Sequence, residues 1–120
     1  MTLAEVQRIL EAEVLCGHEH LGASVEVAFG SDLLSDSLAF ARPRSLLLTG
    51  LTNPQVIWAA EVIEVTAIVF VRGKRPSRDL VKLAEEKGIP LMVTPKLLFD
   101  SCGLLYQAGL RGTLDHERKQ

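Results

Sequence analysis

Long apolar runs and recognisable catalytic motifs are both missing from this chain of 120 residues. No apolar run approaches the roughly 18 residues that a membrane-spanning helix needs, and the N-terminus has no signal-peptide pattern. The chain also lacks the serine elbow of hydrolases, a Rossmann glycine turn and a P-loop, because Gly73 and Lys74 are not followed by a hydroxyl residue. We therefore expect a cytoplasmic protein without membrane contact and without catalytic residues.

The chain also lacks a net positive charge, and aromatic side chains are scarce. The formal net charge is -2 and the pI is about 5.9, whereas a general polyanion binder has a strongly basic face. Aromatic residues make up 5% of the chain and mostly fall at predicted core positions, which does not favour stacking on bases. We expect no nucleic-acid partner. Trp58 and Tyr106 are alternatively candidate interface anchors, although core packing is preferred for Trp58.

The two cysteines, Cys16 and Cys102, lie far apart in apolar neighbourhoods, which favours free thiols in a reducing compartment over a disulfide. Cys16, His18 and His20 would share one face of an extended segment and could bind zinc or copper with a fourth ligand. However, Gly17 indicates a turn, and no second cluster supplies that ligand. We predict no metal site and identify no cofactor.

A strand, a polar turn and a helix follow one another three times in the second half of the chain. The predicted strands are residues 45–49, 67–71 and 91–93, and the predicted helices are residues 54–64, 77–87 and 95–108. Because a parallel partner needs a helix-length crossover, this alternation predicts a mainly parallel sheet.

The first half predicts further elements of the same domain. Thr2 and Glu5 form a capping box for a helix at 2–13, and residues 14–16 and 25–29 read as short strands that can pair antiparallel. Ser31 would cap a helix from Asp32 to Phe40, with a buried side made of the leucines Leu33, Leu34 and Leu38.

These patterns together predict a single α/β domain at residues 1–112, in which helices flank a mainly parallel sheet in three layers. Residues 113–120 are charged and predict a disordered tail. Hydrophobic residues make up 48% of the chain and the mean hydropathy is +0.21, which exceeds what a small monomer needs to cover its core. We therefore expect a homodimer.

A candidate ligand site lies at the carboxyl edge of this predicted sheet, where the turns after parallel strands open helix N-termini. Helix N-termini attract anions, and arginine suits phosphate or carboxylate. An anionic small molecule, for example a nucleotide, is the functional interpretation; the alternative is that these are solvated turn residues that only cap helices. The predicted contacts on these turns are Thr49, Thr52, Asn53, Arg72, Lys74, Arg75 and Thr94.

The segment at 30–36 adds four polar candidates to the rim of that site. These residues are Ser31, Asp32, Ser35 and Asp36. If all were helical, Asp32 and Asp36 would lie one turn apart and could hold magnesium, which leaves a phosphate-ester hydrolase as a low-ranked enzymatic alternative. The simpler interpretation is an ordinary helix start, where acidic residues suit the dipole.

Three segments resemble the DRTGG domain family. They are residues 30–36 with Ala39, residues 71–76, and residues 84–91 with Thr94. They occur in the family's order, and the resemblance extends from about residue 10 to residue 109. The family's signature elements are replaced here in the turns at 49–54 and 71–76.

This resemblance implies a fold similar to the N-terminal domain of HPr kinase/phosphorylase. It also implies a regulatory or ligand-sensing module, since such domains occur beside CBS domains in some pyrophosphatases and as short free-standing proteins. The main alternative is a ligand-free protein-interaction subunit, conceivably of a redox or hydrogenase-associated complex. Ligand-dependent stability would separate the two.

Overall fold

The computed structural model describes residues 1–114 as one α/β domain with a five-stranded mixed sheet. The elements in chain order are α1 (Leu3–Leu10), β1 (Glu13–Cys16), a 3-10 turn (His18–His20), β2 (Ala28–Gly30), α2 (Leu34–Phe40), β3 (Leu46–Thr49), α3 (Pro54–Ile63), β4 (Ala67–Phe70), α4 (Arg78–Lys87), β5 (Leu91–Val93) and α5 (Leu98–Gln107). The predicted tail at 113–120 lies outside the described residues except for its first two. No helix in the described chain is long and apolar enough to cross a membrane.

The sheet has the strand order β1-β5-β4-β3-β2. Strands β2 to β5 are mutually parallel, and β1 pairs antiparallel with β5. The prediction of a mainly parallel sheet is therefore confirmed. The suggested antiparallel pairing holds for β1 but is wrong for β2, which pairs with β3 in parallel because α2 forms a helical crossover between them.

Helices cover both faces of the sheet. Alternate residues of the central strands point into two cores: Leu47 and Ile68 pack with α3 and α4, whereas Leu46 and Val69 pack with α1 and α5. Every residue of β3 and β4 is buried, as expected for parallel strands covered on both sides. This arrangement is the predicted three-layer domain.

The ends of α1 show how local sequence positions the first helix. Thr2 accepts a hydrogen bond from the Glu5 backbone N–H at 3.2 Å, which confirms the predicted cap. Glu11 has a φ of 53° and ends the helix. The predicted helix at 2–13 is therefore too long at its C-terminal end, because Glu13 already pairs with Val93 in the sheet.

The prediction for α2 is wrong at its start and for two of the three leucines on its buried side, whereas Leu34 packs against the core as predicted. The helix begins at Leu34, and the Ser31 hydroxyl accepts from the Leu33 N–H at 3.0 Å without capping the helix. Asp32 stays outside the helix because its carboxylate bonds to the loop after β3. Leu33 and Leu38 are more than half exposed, while Ser37 is buried.

Most of the aromatic residues were also misassigned to the core. Trp58 is 48% exposed, with the Lys87 ammonium 5.1 Å from its ring centroid, and Phe99 is 87% exposed. Their helices pack on the sheet through neighbouring aliphatic residues, such as Ile57 and Leu105. The helical pattern gives these segments several apolar positions, and packing uses only part of them.

Candidate functional site

Four loops meet at the carboxyl edge of the sheet, because β2, β3, β4 and β5 run in parallel. They occupy residues 31–33, 50–53, 71–77 and 94–97. In doubly wound sheets this edge is where ligands bind. The edge predicted from the sequence is therefore the one that the fold builds.

The loops after β2 and β3 are joined through one carboxylate. The Asp32 Oδ1 accepts from the Gly50 N–H at 2.6 Å and from the Thr49 hydroxyl at 3.3 Å. The Thr49 hydroxyl also accepts from the Leu51 N–H at 3.1 Å. Asp32 and Thr49, both predicted site residues, are thus brought together, and their hydrogen bonds hold the two loops against each other.

Arg72, in the turn after β4, lies against the loop after β3. Its guanidinium occupies the space that a Cβ at position 50 would fill, so the glycine at that position permits the close approach. The Arg72 side chain is exposed and forms no ion pair within residues 1–114. A guanidinium with unused N–H donors therefore lies over the backbone of Gly50.

The backbone of the same turn is fixed to the loop after β5. Arg72 has a φ of 61°, in the left-handed region that non-glycine residues seldom adopt. Its N–H donates to the Lys96 carbonyl at 2.8 Å, and the Gly73 N–H donates to the Thr94 carbonyl at 2.9 Å. These two bonds hold the turn in place and so position the Arg72 side chain.

Arg75 points away from this meeting point toward β1. It forms a bidentate ion pair with Glu13, with N–O distances of 3.0 and 2.9 Å. Hydrogen bonding to Arg75, followed by its charge, lowers the pKa of the Glu13 carboxyl. Lys74 is exposed between the two arginines. The two arginines of this turn therefore lie apart, Arg72 against Gly50 and Arg75 against Glu13.

The Thr94 hydroxyl is fully buried and serves the fold. It donates to the Leu10 carbonyl at 2.6 Å, at the end of α1, and accepts from the Lys96 N–H at 3.3 Å. This contact holds the first helix to the last strand. Because the side chain is fully buried, its hydroxyl cannot contact a ligand at the solvent edge of the site.

The other predicted site residues occupy two helix starts. Thr52 is half-buried, and the Asn53 side chain is exposed at the N-cap of α3 without a capping hydrogen bond. Ser35 and Asp36 are exposed in the first turn of α2. The prediction that Asp32 and Asp36 share a helical face is wrong, because Asp32 precedes the helix.

No group of three or more histidine, cysteine or acidic side chains is placed to hold a metal ion in the described part of the chain. Cys16 is buried and donates its thiol to the Ile89 carbonyl at 3.5 Å. His18 and His20 lie in the exposed 3-10 turn beside it. The extended arrangement that would have placed these three side chains on one face is absent.

Gly50 is the residue that the sequence interpretation missed. Its N–H donates to the Asp32 carboxylate, and because it has no side chain the Arg72 guanidinium can approach its backbone. The sequence did contain an indication, because a single glycine directly after a buried strand often marks a position that other groups approach closely. The resulting arrangement presents a cation and the exposed Asn53 amide at one edge, which suits an anionic oxygen.

Comparison with known proteins shows what the whole chain is similar to. The family model of the DRTGG domain matches residues 5–108. The crystal structure of the CBS and DRTGG domains of the regulatory region of Clostridium perfringens pyrophosphatase, complexed with the activator diadenosine tetraphosphate, superposes with a TM-score of 0.74 at 18% identity. The match covers 92% of this chain and 47% of that one, so this chain spans about half of that regulatory region. No curated protein sequence matches the chain.

Proposed function

The chain belongs to the DRTGG domain family, and we propose that it is a non-catalytic regulatory module that senses an anionic small molecule, with a nucleotide as the first candidate. The family match confirms the resemblance seen in the sequence. The structural neighbour is a regulatory region whose activator is a dinucleotide with four phosphates. That activator belongs to a region with CBS domains as well, so its extension to this chain is part of the proposal.

The observation that carries the proposal is the Arg72 guanidinium, which lies over Gly50 without an acidic partner among residues 1–114. A phosphate oxygen is a suitable partner for such a group, because arginine forms bidentate, charge-assisted hydrogen bonds with it. The start of α3 adds the unused Asn53 amide and the positive end of the helix dipole.

The proposed ligand contacts are the groups that remain accessible around this guanidinium. Thr52, Asn53 and Lys74 would contribute directly, and Ser31, Ser35 and Asp36 would form the rim on the side of α2. Asp32, Thr49 and Thr94 would act by shaping the loops, since their hydrogen bonds fix the loop positions. Arg75 would reach the ligand only after leaving Glu13.

Binding would regulate only if the ligand prefers one of two states of the module. The proposed ligand would cross-link the turn after β4 to the start of α3, and so favour the state in which these loops are closed. Two cross-links between loops already exist, through Asp32 and through the Arg72 backbone. The ligand would therefore raise the population of this arrangement relative to a state in which the loops separate.

A thermal-shift panel tests the proposal. Adenine and guanine nucleotides, dinucleotides and acyl phosphates are added to the full chain with and without magnesium. A ligand that binds only the native state adds about 2.7 kcal/mol at a hundred times its dissociation constant, which raises Tm by several degrees. Arg72→Gln should remove the shift, whereas Lys82→Gln, which removes an exposed cation on α4, should retain it. No shift across the panel would contradict the proposal.

A second candidate function is a protein-interaction subunit. The observation that favours it is a group of exposed apolar side chains along α5, where Phe99 is 87%, Leu97 56% and Tyr106 51% exposed. The partner would be a second copy, giving a homodimer, or another cytoplasmic protein such as a subunit of a redox complex. Phe99→Ser should weaken dimerisation in sedimentation experiments, and Val62→Ser, which changes a 73% exposed residue on α3, should not. A monomer at all concentrations would exclude the homodimer.

Lack of catalysis is the third part of the proposal. The enzymatic alternative is magnesium-dependent phosphate-ester hydrolysis by Asp32 and Asp36. A hydrolase assay with generic phosphate esters and magnesium should give no turnover above a buffer blank. Turnover that disappears in Asp32→Asn, in a variant that retains the native fold by circular dichroism, would overturn this part.

A further inference from the structure

An apolar cavity of about 460 Å³ lies at edge strand β2, between the sheet face that α5 covers and the end of α2. It is bounded by edge strand β2, the end of α2, the second half of α5 and the segment at 110–114. Its volume is in the range of small-molecule sites. The residues lining its interior include Ala28, Gly30, Leu48, Cys102, Leu105 and Leu110.

The cavity exists because β2 has small side chains on this face. Gly30 lets Leu98 and Cys102 of α5 approach the strand, since a Cβ there would lie 2.7 Å from the Cys102 Sγ. Ala28, two residues earlier on the same face, leaves the space beside α5 open. Only α1 and α5 pack on this face among the described residues, so no third helix fills the space over the edge strand.

The lining includes two arginines and no acidic residue among the described positions. The Arg111 guanidinium lies 4.4 Å from the centroid of the Tyr106 ring, and its Nη1 donates to the carbonyls of Tyr106 and Leu110. Because a guanidinium has five N–H donors, Nη2 and Nε keep donors for another group. Arg42 lies at the same cavity, with its Nη1 bonded to the Phe40 carbonyl at 3.2 Å.

Burial raises the pKa of the Cys102 thiol in the cavity wall. The thiol is therefore neutral near pH 7 and adds no negative charge to the lining. The wall is apolar, and the Arg111 guanidinium adds a positive charge at its rim. An occupant that matches both features has an apolar body and one anionic end.

A peptide strand is not a suitable occupant along this part of the edge. The Ala28 N–H already donates to the Arg111 carbonyl at 2.9 Å, and Val27 forms a parallel bridge with Arg111. The start of this edge is thus already paired with the chain's own residue 111 and not open to an added strand. The volume of the cavity suits a small molecule.

We propose that this cavity binds a small amphipathic carboxylate, such as a medium-chain fatty acid, with its apolar body against Ala28 and Cys102 and its carboxylate at Arg111. This site is separate from the proposed anion site, since its lining includes neither Arg72 nor Gly50. Failure of one proposal therefore leaves the other unaffected.

Methyl NMR of the full chain with octanoate tests the proposal. Ala28 and Leu114 line the cavity with accessible side chains, whereas Leu47 points into the opposite core and serves as an internal control. We expect saturable shifts of the Ala28 and Leu114 methyls and none at Leu47. We expect 1-octanol, which has the same chain length without the charge, to bind about fivefold more weakly, as a partly exposed ion pair predicts. Acetate should not bind.

Two variants isolate the role of the charge. Arg111→Gln should reduce the affinity for octanoate to that for octanol, and Arg8→Gln, an exposed arginine on α1, should leave it unchanged. Equal binding of octanoate and octanol by the unmodified chain would overturn carboxylate recognition without reference to any variant. Absence of saturable shifts would overturn the site. Shifts of the same methyls on raising protein concentration alone would also overturn it, because a second copy would then occupy the cavity.

Discussion

The Asp32 carboxylate accepts a hydrogen bond of 2.6 Å from the Gly50 N–H and so joins the loop after β2 to the loop after β3. The Arg72 guanidinium, from the loop after β4, fills the space where a side chain at residue 50 would lie. Three strand-end loops therefore meet at one glycine. The geometry of the candidate ligand site depends on this meeting point.

Asp32→Ala should lower the free energy of unfolding by about 1 to 2 kcal/mol, because the Gly50 N–H loses a charged acceptor. Asp32→Asn should cost less, since it retains one oxygen acceptor. Urea unfolding measures both. Asp36→Ala is the control, because Asp36 is exposed in the first turn of α2 and should cost only the helix-dipole contribution of a few tenths of a kcal/mol. Equal losses for Asp32→Ala and Asp36→Ala would show that the link to Gly50 contributes nothing.

Thr94→Val should lower the free energy of unfolding by about 1 to 3 kcal/mol, because it leaves the buried Leu10 carbonyl without its donor. The substitution preserves the shape of the side chain, so the loss reports mainly on the hydrogen bond. Thr66→Val is the matched control, because the half-buried Thr66 side chain makes no hydrogen bond within residues 1–114. Chemical denaturation of the two variants should give clearly different midpoints, and coincident midpoints would contradict the prediction.

Gly88→Ala and Gly103→Ala should have opposite effects on stability. Gly88 ends α4 with a φ of 71°, and an added Cβ meets no atom within 4 Å. Alanine should therefore lower the free energy of unfolding by about 1 kcal/mol, because it disfavours this left-handed backbone conformation. Gly103 is exposed inside α5, where alanine should gain about 0.5 to 1 kcal/mol by its higher helix propensity. Thermal unfolding compares them directly. A change of the same sign in both variants would contradict the explanation.

The Glu13–Arg75 pair predicts a defined pH dependence. The lowered pKa of Glu13 means that the pair stabilises the fold above the ordinary glutamate value of 4.5, and that this contribution is lost as the pH falls through the lowered pKa. Carboxyl NMR of Glu13 should therefore show a titration below that value, moving up in Arg75→Gln. Lys82→Gln should leave the titration where it is. Because both side chains are exposed, added salt should also raise the Glu13 pKa.

Parallel pairing could be predicted from the sequence because it depends on connection length. Each helix from α3 to α5 was recognisable by a turn, a proline or serine near its start, and apolar residues at helical spacing. Crossovers of this length place the strands in parallel, which in turn aligns their carboxyl ends. The edge that holds the candidate site was therefore accessible without coordinates.

The side-chain contacts at that edge could not be predicted from the sequence. The local sequence predicts Asp32 in a helix because no neighbouring residue offers its carboxylate another hydrogen-bond donor. In the folded chain the Gly50 N–H, 18 positions away, is that donor. Arg75 and Arg72 were indistinguishable in sequence, yet one pairs with Glu13 across 62 positions. Such partners are set by strand order, which periodicity does not encode.

The sequence by itself determined the fold class, the parallel strands β3 to β5 and the edge where loops collect, since these follow from local hydrophobic patterns and chain connectivity. Tertiary structure alone decided which polar groups are consumed by the fold, as at Thr94, and which stay available, as at Arg72. It also decided that Trp58 and Phe99 face outward. The reason is that hydrogen bonding and burial depend on neighbours distant in sequence, and only the packed chain brings those neighbours together.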